Sequence, residues 1–231
     1  MCFSPRVSFS LFVFGAIMTA VSYRTPLLRK RYVHVLLGFY TVMELLQTVQ
    51  YLFVNNCNEY NRFFTNIAYV LVIVQPLMWN TVFYTQVQPQ YKPIFKLAMV
   101  MSALWIAMNV YSRISYKPST AKNECGFFNH DKTCTYRDKK GSHLYWRWTT
   151  AHWGDMSANY FMYMCLWFVP ALLVPGTRAT SVVLAAGALF AYTITRMYGS
   201  TVQEFPSVWC LMSIPLFLLS IYEAFRSLFS Q

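Results

Sequence analysis

The chain has 231 residues, of which 56% are hydrophobic and 19% aromatic, while only 12% are charged. A soluble domain of this length carries about twice that charged fraction, so the composition excludes an ordinary water-soluble globule and a disordered chain alike. The formal charge of +11 lies beside apolar runs and in one loop, with no basic helix built to read bases. It therefore points to anionic lipid headgroups or an acidic partner protein and excludes nucleic acid.

Runs of about 17 to 24 nearly uncharged residues are long enough to cross a hydrocarbon core as tilted helices. Seven are expected, at 7–23, 32–54, 63–84, 95–112, 156–175, 180–198 and 207–225. The predicted fold is an all-α integral membrane bundle of about seven helices, one domain over 1–231. A six-helix alternative drops 180–198, whose VVLAAGALFAYTITRMY is short and rich in small residues.

The first run, VSFSLFVFGAIMTAVSY, has only Arg6 before it and no small-residue cleavage site after it, so it reads as a retained helix and not a signal peptide. After it comes the basic turn RTPLLRKR. Lys and Arg in short loops mark the cytosolic side. On that rule the compact turn, with Lys92, Lys96, Arg178 and Arg226, outweighs the basic 113–147 loop, and the N-terminus is expected outside or in a lumen.

The second run holds the one acidic residue near the middle of any span, Glu44. An ionised carboxylate in hydrocarbon costs at least ~2.5 kcal/mol, so it must face the protein interior, find a partner or take up a proton. Tyr40, Glu44, Gln47 and Tyr51 fall at i, i+4, i+7 and i+11 and share one helix face. Gln75 and Asn80 in the third run, and Asn109 near the end of the fourth, offer amides to the same interior. Three readings of this set stay open: hydrogen-bond glue between helices, a pathway or site for an ion or small solute, or a catalytic or cofactor role.

Pro76, Pro170, Pro175 and Pro215 each remove an intrahelical donor and free a carbonyl one turn back, which must find another donor. The polar, basic stretch 112–150 is expected to be an extramembrane loop. LYWRWTTAHW, at its end and just before the fifth run, reads as an interfacial aromatic belt.

Within that loop Cys125, His130, Cys134 and His143 have zinc-ligand chemistry at spacings that match no strong zinc pattern. A Cys125–Cys134 disulfide is the competing reading if the loop is lumenal. HExxH and GxSxG are absent and SVWCLMSIPLFLLSIY has no lysine to form a Schiff base, so no enzyme class is indicated and no cofactor is assigned.

An odd number of crossings puts the N-terminus and the start of the last helix on one face. Cys2, Ser4, Glu204, Trp209 and Cys210 then form a terminal layer, with a Cys2–Cys210 disulfide as one of its readings. MCFS with Ser8-Phe9, the Glu44-x-x-Gln47 pair and Ser207-Val208-Trp209-Cys210 together resemble an uncharacterised family of small polytopic membrane proteins. That resemblance implies a shared helical bundle with a layer of site residues around Cys2, Glu44 and Trp209-Cys210, and it implies no activity. Three functions remain: a binding or conducting protein for an ion or small solute, an accessory subunit of a larger membrane assembly, and a membrane-embedded enzyme.

Overall fold

The computed structural model describes residues 4–30, 32–115, 133–137, 143–148, 160–198, 205 and 209. The elements in chain order are α1 (Pro5–Arg24), α2 (Pro26–Lys30), α3 (Val33–Gln50), α4 (Glu59–Gln86), a 3₁₀ turn (Pro89–Tyr91), α5 (Lys92–Ser115), β1 (Cys134–Arg137), β2 (Leu144–Arg147), α6 (Tyr160–Leu173) and α7 (Pro175–Tyr198). Helix dominates, as expected. Among the described residues four helices are long and apolar enough to cross a membrane, against the seven expected over the whole chain: Pro5–Arg24, Glu59–Gln86, Pro89–Ile114 and Pro175–Met197.

Two of the expected runs fall short as described. α6 counts 14 described residues, and α3 devotes much of its 18 residues to buried polar side chains. The run expected at 207–225 lies outside the described residues apart from Trp209. The expected 112–150 loop also differs in its described part, because α5 persists to Ser115 and the two strands form a hairpin.

The chain divides into two compact units. The first comprises Met1–Leu52, Arg137–Leu144 and Ala186–Gln231. In it α1 packs on α3. Ser4 caps α1 by accepting from the Val7 amide at 3.2 Å, and Pro5 takes the first turn, where its missing N–H costs nothing. The buried residues of α1 are Ser8, Gly15, Met18 and Ser22. Three small residues seven apart therefore line one stripe, and the facing Gly38 of α3 has room for only a methyl before Thr19 Cγ2, 3.5 Å from where its Cβ would lie. Small residues in register let two helix backbones approach closely.

The outer face of α1 is the apolar one, with Phe9 at 52% and Ile17 at 56% exposure. A turn through Pro26 breaks α1 from α2, and Tyr32, in the left-handed region at φ 57°, reverses the chain into α3.

The second unit comprises Phe53–Tyr136 and Tyr145–Ala185. α5 runs antiparallel to α4, as the contacts Phe83–Phe95, Thr81–Met99 and Tyr69–Asn109 show. α6 runs parallel to α4, through Gln75–Tyr163 and Trp79–Trp167.

Two of the prolines here have a named substitute donor. Pro170 deprives the Leu166 carbonyl of its partner, and Asn80 Nδ2 supplies one at 2.8 Å. Pro175 does the same to the Ala171 carbonyl, and Thr177 Oγ1 supplies it at 2.9 Å.

Candidate interior polar site

In the first unit, α3 buries Tyr40, Thr41, Glu44, Gln47 and Gln50. Thr41 and Thr48 each donate back to the carbonyl four residues earlier, so neither competes for the interior groups. Glu44 is 2% exposed, and the Ser8 hydroxyl of α1, itself wholly buried, donates to its carboxylate. The helix pair thus encloses an acid, a hydroxyl, two amides and a phenol. A carboxylate that accepts from a hydroxyl, on a helix face that also buries two amides, can take up a proton or pair with a cation, and is less suited to a redox or hydrolytic reaction that needs a nucleophile and base.

Tyr51, expected to complete the stripe, follows the end of α3 and is half-buried, with the Arg137 guanidinium 5.8 Å from its ring centroid. Gln50 takes the inward position instead.

Gln75 and Asn80 belong to the second unit. Gln75 Oε1 accepts a hydrogen bond from the Tyr163 hydroxyl. Asn80 Nδ2 reaches the Pro76 and Leu166 carbonyls, both at 2.8 Å, so this amide is a structural clamp on two helices. Asn109, held by Tyr69 and the Trp105 carbonyl, is another.

Of the terminal layer, Ser4 is the α1 cap and Trp209 is buried with its ring stacked on Phe205 at 5.7 Å. Cys2, Glu204 and Cys210 lie outside the described residues.

Cys134 is bonded to Cys57, with Cα atoms 5.6 Å apart, which corrects the expected pairing with Cys125. The reason is positional: Cys57 stands next to Asn58, the N-cap of α4, and β1 lies against the first turns of that helix. A disulfide-bonded sulfur is no zinc thiolate, so Cys134 leaves the candidate zinc set. Cys125 and His130 lie outside the described residues, and no cluster of three metal-ligating side chains occurs among the described ones.

The hairpin contains the polar network that sequence reasoning missed. Asn61 Nδ2 donates to the Phe53 carbonyl at 2.7 Å and the Thr135 carbonyl at 3.0 Å, while its Oδ1 accepts from the Thr135 amide at 2.7 Å and the Thr65 hydroxyl at 3.1 Å. Trp148 Nε1 adds a bond to the Thr65 carbonyl at 3.1 Å. Tyr145, Trp146 and Trp148 are all buried, so the described part of LYWRWTTAHW is a packed core and not an interfacial belt. The only advance signal was alternation within Thr-Cys-Thr-Tyr-Arg, which a short polar stretch makes easy to overlook.

A Family of unknown function (DUF5765) matches residues 6–230. The chain belongs to this family. Among its relatives, Uncharacterized protein R287 of Acanthamoeba polyphaga mimivirus is 28% identical over 236 aligned positions, which cover 96% of this chain and 94% of that protein. No solved structure matches. The expected kinship with an uncharacterised family is met at that level, and neither comparison brings an activity with it.

Proposed function

We propose that this DUF5765 member is a multi-pass integral membrane protein that binds a proton or small cation at Glu44. The observation that carries the reading is the inverted distribution of polarity. On α5, Leu97, Val100, Leu104 and Ile114 are exposed while Ser102, Asn109 and Ser112 are buried. α1 and α7 repeat the pattern, with Phe9, Ile17, Phe190 and Met197 outward and Ser8, Ser22, Ser181 and Thr195 inward. In water each outward residue would forfeit about 1.5 kcal/mol or more of burial free energy, whereas lipid receives it. Polar groups turned inward are the way a helix in hydrocarbon satisfies them.

Within that setting Glu44 is the group whose burial is hardest to reconcile with packing alone. Gln47, one turn on along α3, and the Ser8 hydroxyl are the buried neutral groups that would join it around a small cation. The test is thermal unfolding of the protein in lipid nanodiscs, titrated with Na⁺, K⁺, Ca²⁺ and H⁺. Wild type should be stabilised by one of these with a saturable dependence, and Glu44→Gln should lose that dependence while retaining its fold. A wild-type unfolding temperature indifferent to all four ions would end the proposal.

A further inference from the structure

The disulfide, combined with the placement of the basic connectors, assigns the side of the membrane on which each end of the second unit lies. This rests on the membrane reading above. Cys57 stands next to Asn58, the N-cap of α4, and is bonded to Cys134 at the start of β1. The hairpin is held to that same end of the helix by Asn61 and Thr65, and Arg113 in the last turn of α5 joins it by donating to Asn66 and to the Thr133 hydroxyl. α4 has 28 residues, about 42 Å at 1.5 Å per residue, which exceeds the ~30 Å hydrocarbon core. Its far end, with the connector into α5, therefore emerges from the opposite surface.

The two ends differ in chemistry. The far connector, VQPQYKPIFK, contains Lys92 and Lys96 and no acid. Short basic connectors stay on the cytosolic side. The near end contains a disulfide, and disulfides persist on the oxidising side. Counting charge alone leaves the matter balanced, because the hairpin end contains Arg113, Arg137 and Arg147 too. The disulfide breaks the tie, since it has no stable place in a reducing cytosol.

We infer that the Cys57–Cys134 hairpin is an extracytoplasmic or lumenal cap, and that the α4–α5 connector is cytosolic. Forming the bond takes two protons and two electrons from the two thiols. The acceptor is a disulfide-exchange oxidant of that compartment, which is itself reduced to a dithiol.

The chain contains no Asn-x-Ser/Thr acceptor, but it contains Asn123-Glu124-Cys125 in the segment between α5 and β1. Cys125→Thr completes an acceptor there without touching Cys57 or Cys134. The full chain with this substitution is translated into endoplasmic-reticulum microsomes, free thiols are alkylated before solubilisation, and peptides are mapped with and without reduction. The expected result is a one-glycan mobility shift, removed by endoglycosidase, together with a Cys57–Cys134 cross-linked peptide. An unglycosylated chain, or alkylated Cys57 and Cys134, overturns the assignment. Release of the protein from the microsomes by alkaline carbonate would instead refute the membrane reading on which the assignment depends.

Discussion

Replacing Asn61 with alanine is the sharpest test of the cap, because one buried side chain makes four of its hydrogen bonds. The loss is unequal among the partners. The Phe53 carbonyl still accepts from the Asn56 amide at 3.2 Å, and the Thr135 carbonyl from the Asn55 amide at 3.3 Å. The Thr65 hydroxyl keeps its contacts with the Asn61 carbonyl and the Thr135 hydroxyl, both at 2.7 Å. The Thr135 amide, however, loses the Asn61 acceptor at a buried position. At about 1 kcal/mol net for each bond, and more for the buried amide, the expected cost is about 4 to 5 kcal/mol.

If that cost falls on hairpin opening, trypsin cleavage after the half-buried Arg137 and Arg147 in detergent should accelerate at least about a hundredfold, at 1.4 kcal/mol per factor of ten. Asn66→Ala is the control. It removes an exposed partner of Arg113 and should accelerate cleavage less than tenfold, as an exposed contact does. Equal acceleration by the two variants, or less than tenfold by Asn61→Ala, would refute the idea that Asn61 holds the hairpin on α4.

Two further outcomes follow from the helix contacts. Asn80→Ala should destabilise by about 1 to 3 kcal/mol, because the Leu166 carbonyl loses the donor that replaced the missing amide of Pro170. In a Pro170→Ala background the backbone amide returns and the penalty should shrink by about 1 kcal/mol or more, so a thermal-unfolding double-mutant cycle that shows no coupling would disprove the compensation. Gly38→Ala should be neutral or stabilising by a few tenths of a kcal/mol, since its methyl meets Thr19 at ordinary contact distance. Gly38→Val should force α1 from α3 at a cost of about 1 to 3 kcal/mol, and equal melting temperatures for the two variants would show that the seam is not close-packed there.

Hydropathy was enough to anticipate helices at α1, α3, α4, α5 and α7, because each presents a long apolar outer surface whatever it packs against. Among the described residues it overstated the number of spanning segments for the same reason. The measure adds apolar residues without asking which face they occupy, so a 14-residue α6 rich in Trp, Phe and Met reads much like a longer one. Glu44 was legible because a carboxylate in such a run is conspicuous by cost. Its neighbours were legible only by angle, and the angle erred by one position: the helix ends at Gln50, so Gln50 occupies the inward place and Tyr51 lies in the turn that follows.

What stayed hidden are relations that depend on long-range pairing. Cys57 and Cys134 are 77 residues apart, and nothing local distinguishes Cys57 from Cys125 as a partner. Asn80 looked like a site residue because it is polar within an apolar run, yet its amide is committed to a carbonyl freed by a proline 90 positions downstream. Ser8, Gly15 and Ser22 looked like ordinary small residues until α3 lay against them. In a chain whose outward face is apolar, burial no longer distinguishes core from surface by hydropathy, so each inward polar residue must be assigned by its partner. By that criterion Asn61, Asn80 and Asn109 are structural, for each is bonded to a backbone carbonyl. Glu44 differs in kind: it brings a group that can be charged where a neutral amide would hold Ser8 as well, and this is why Glu44→Gln separates function from packing.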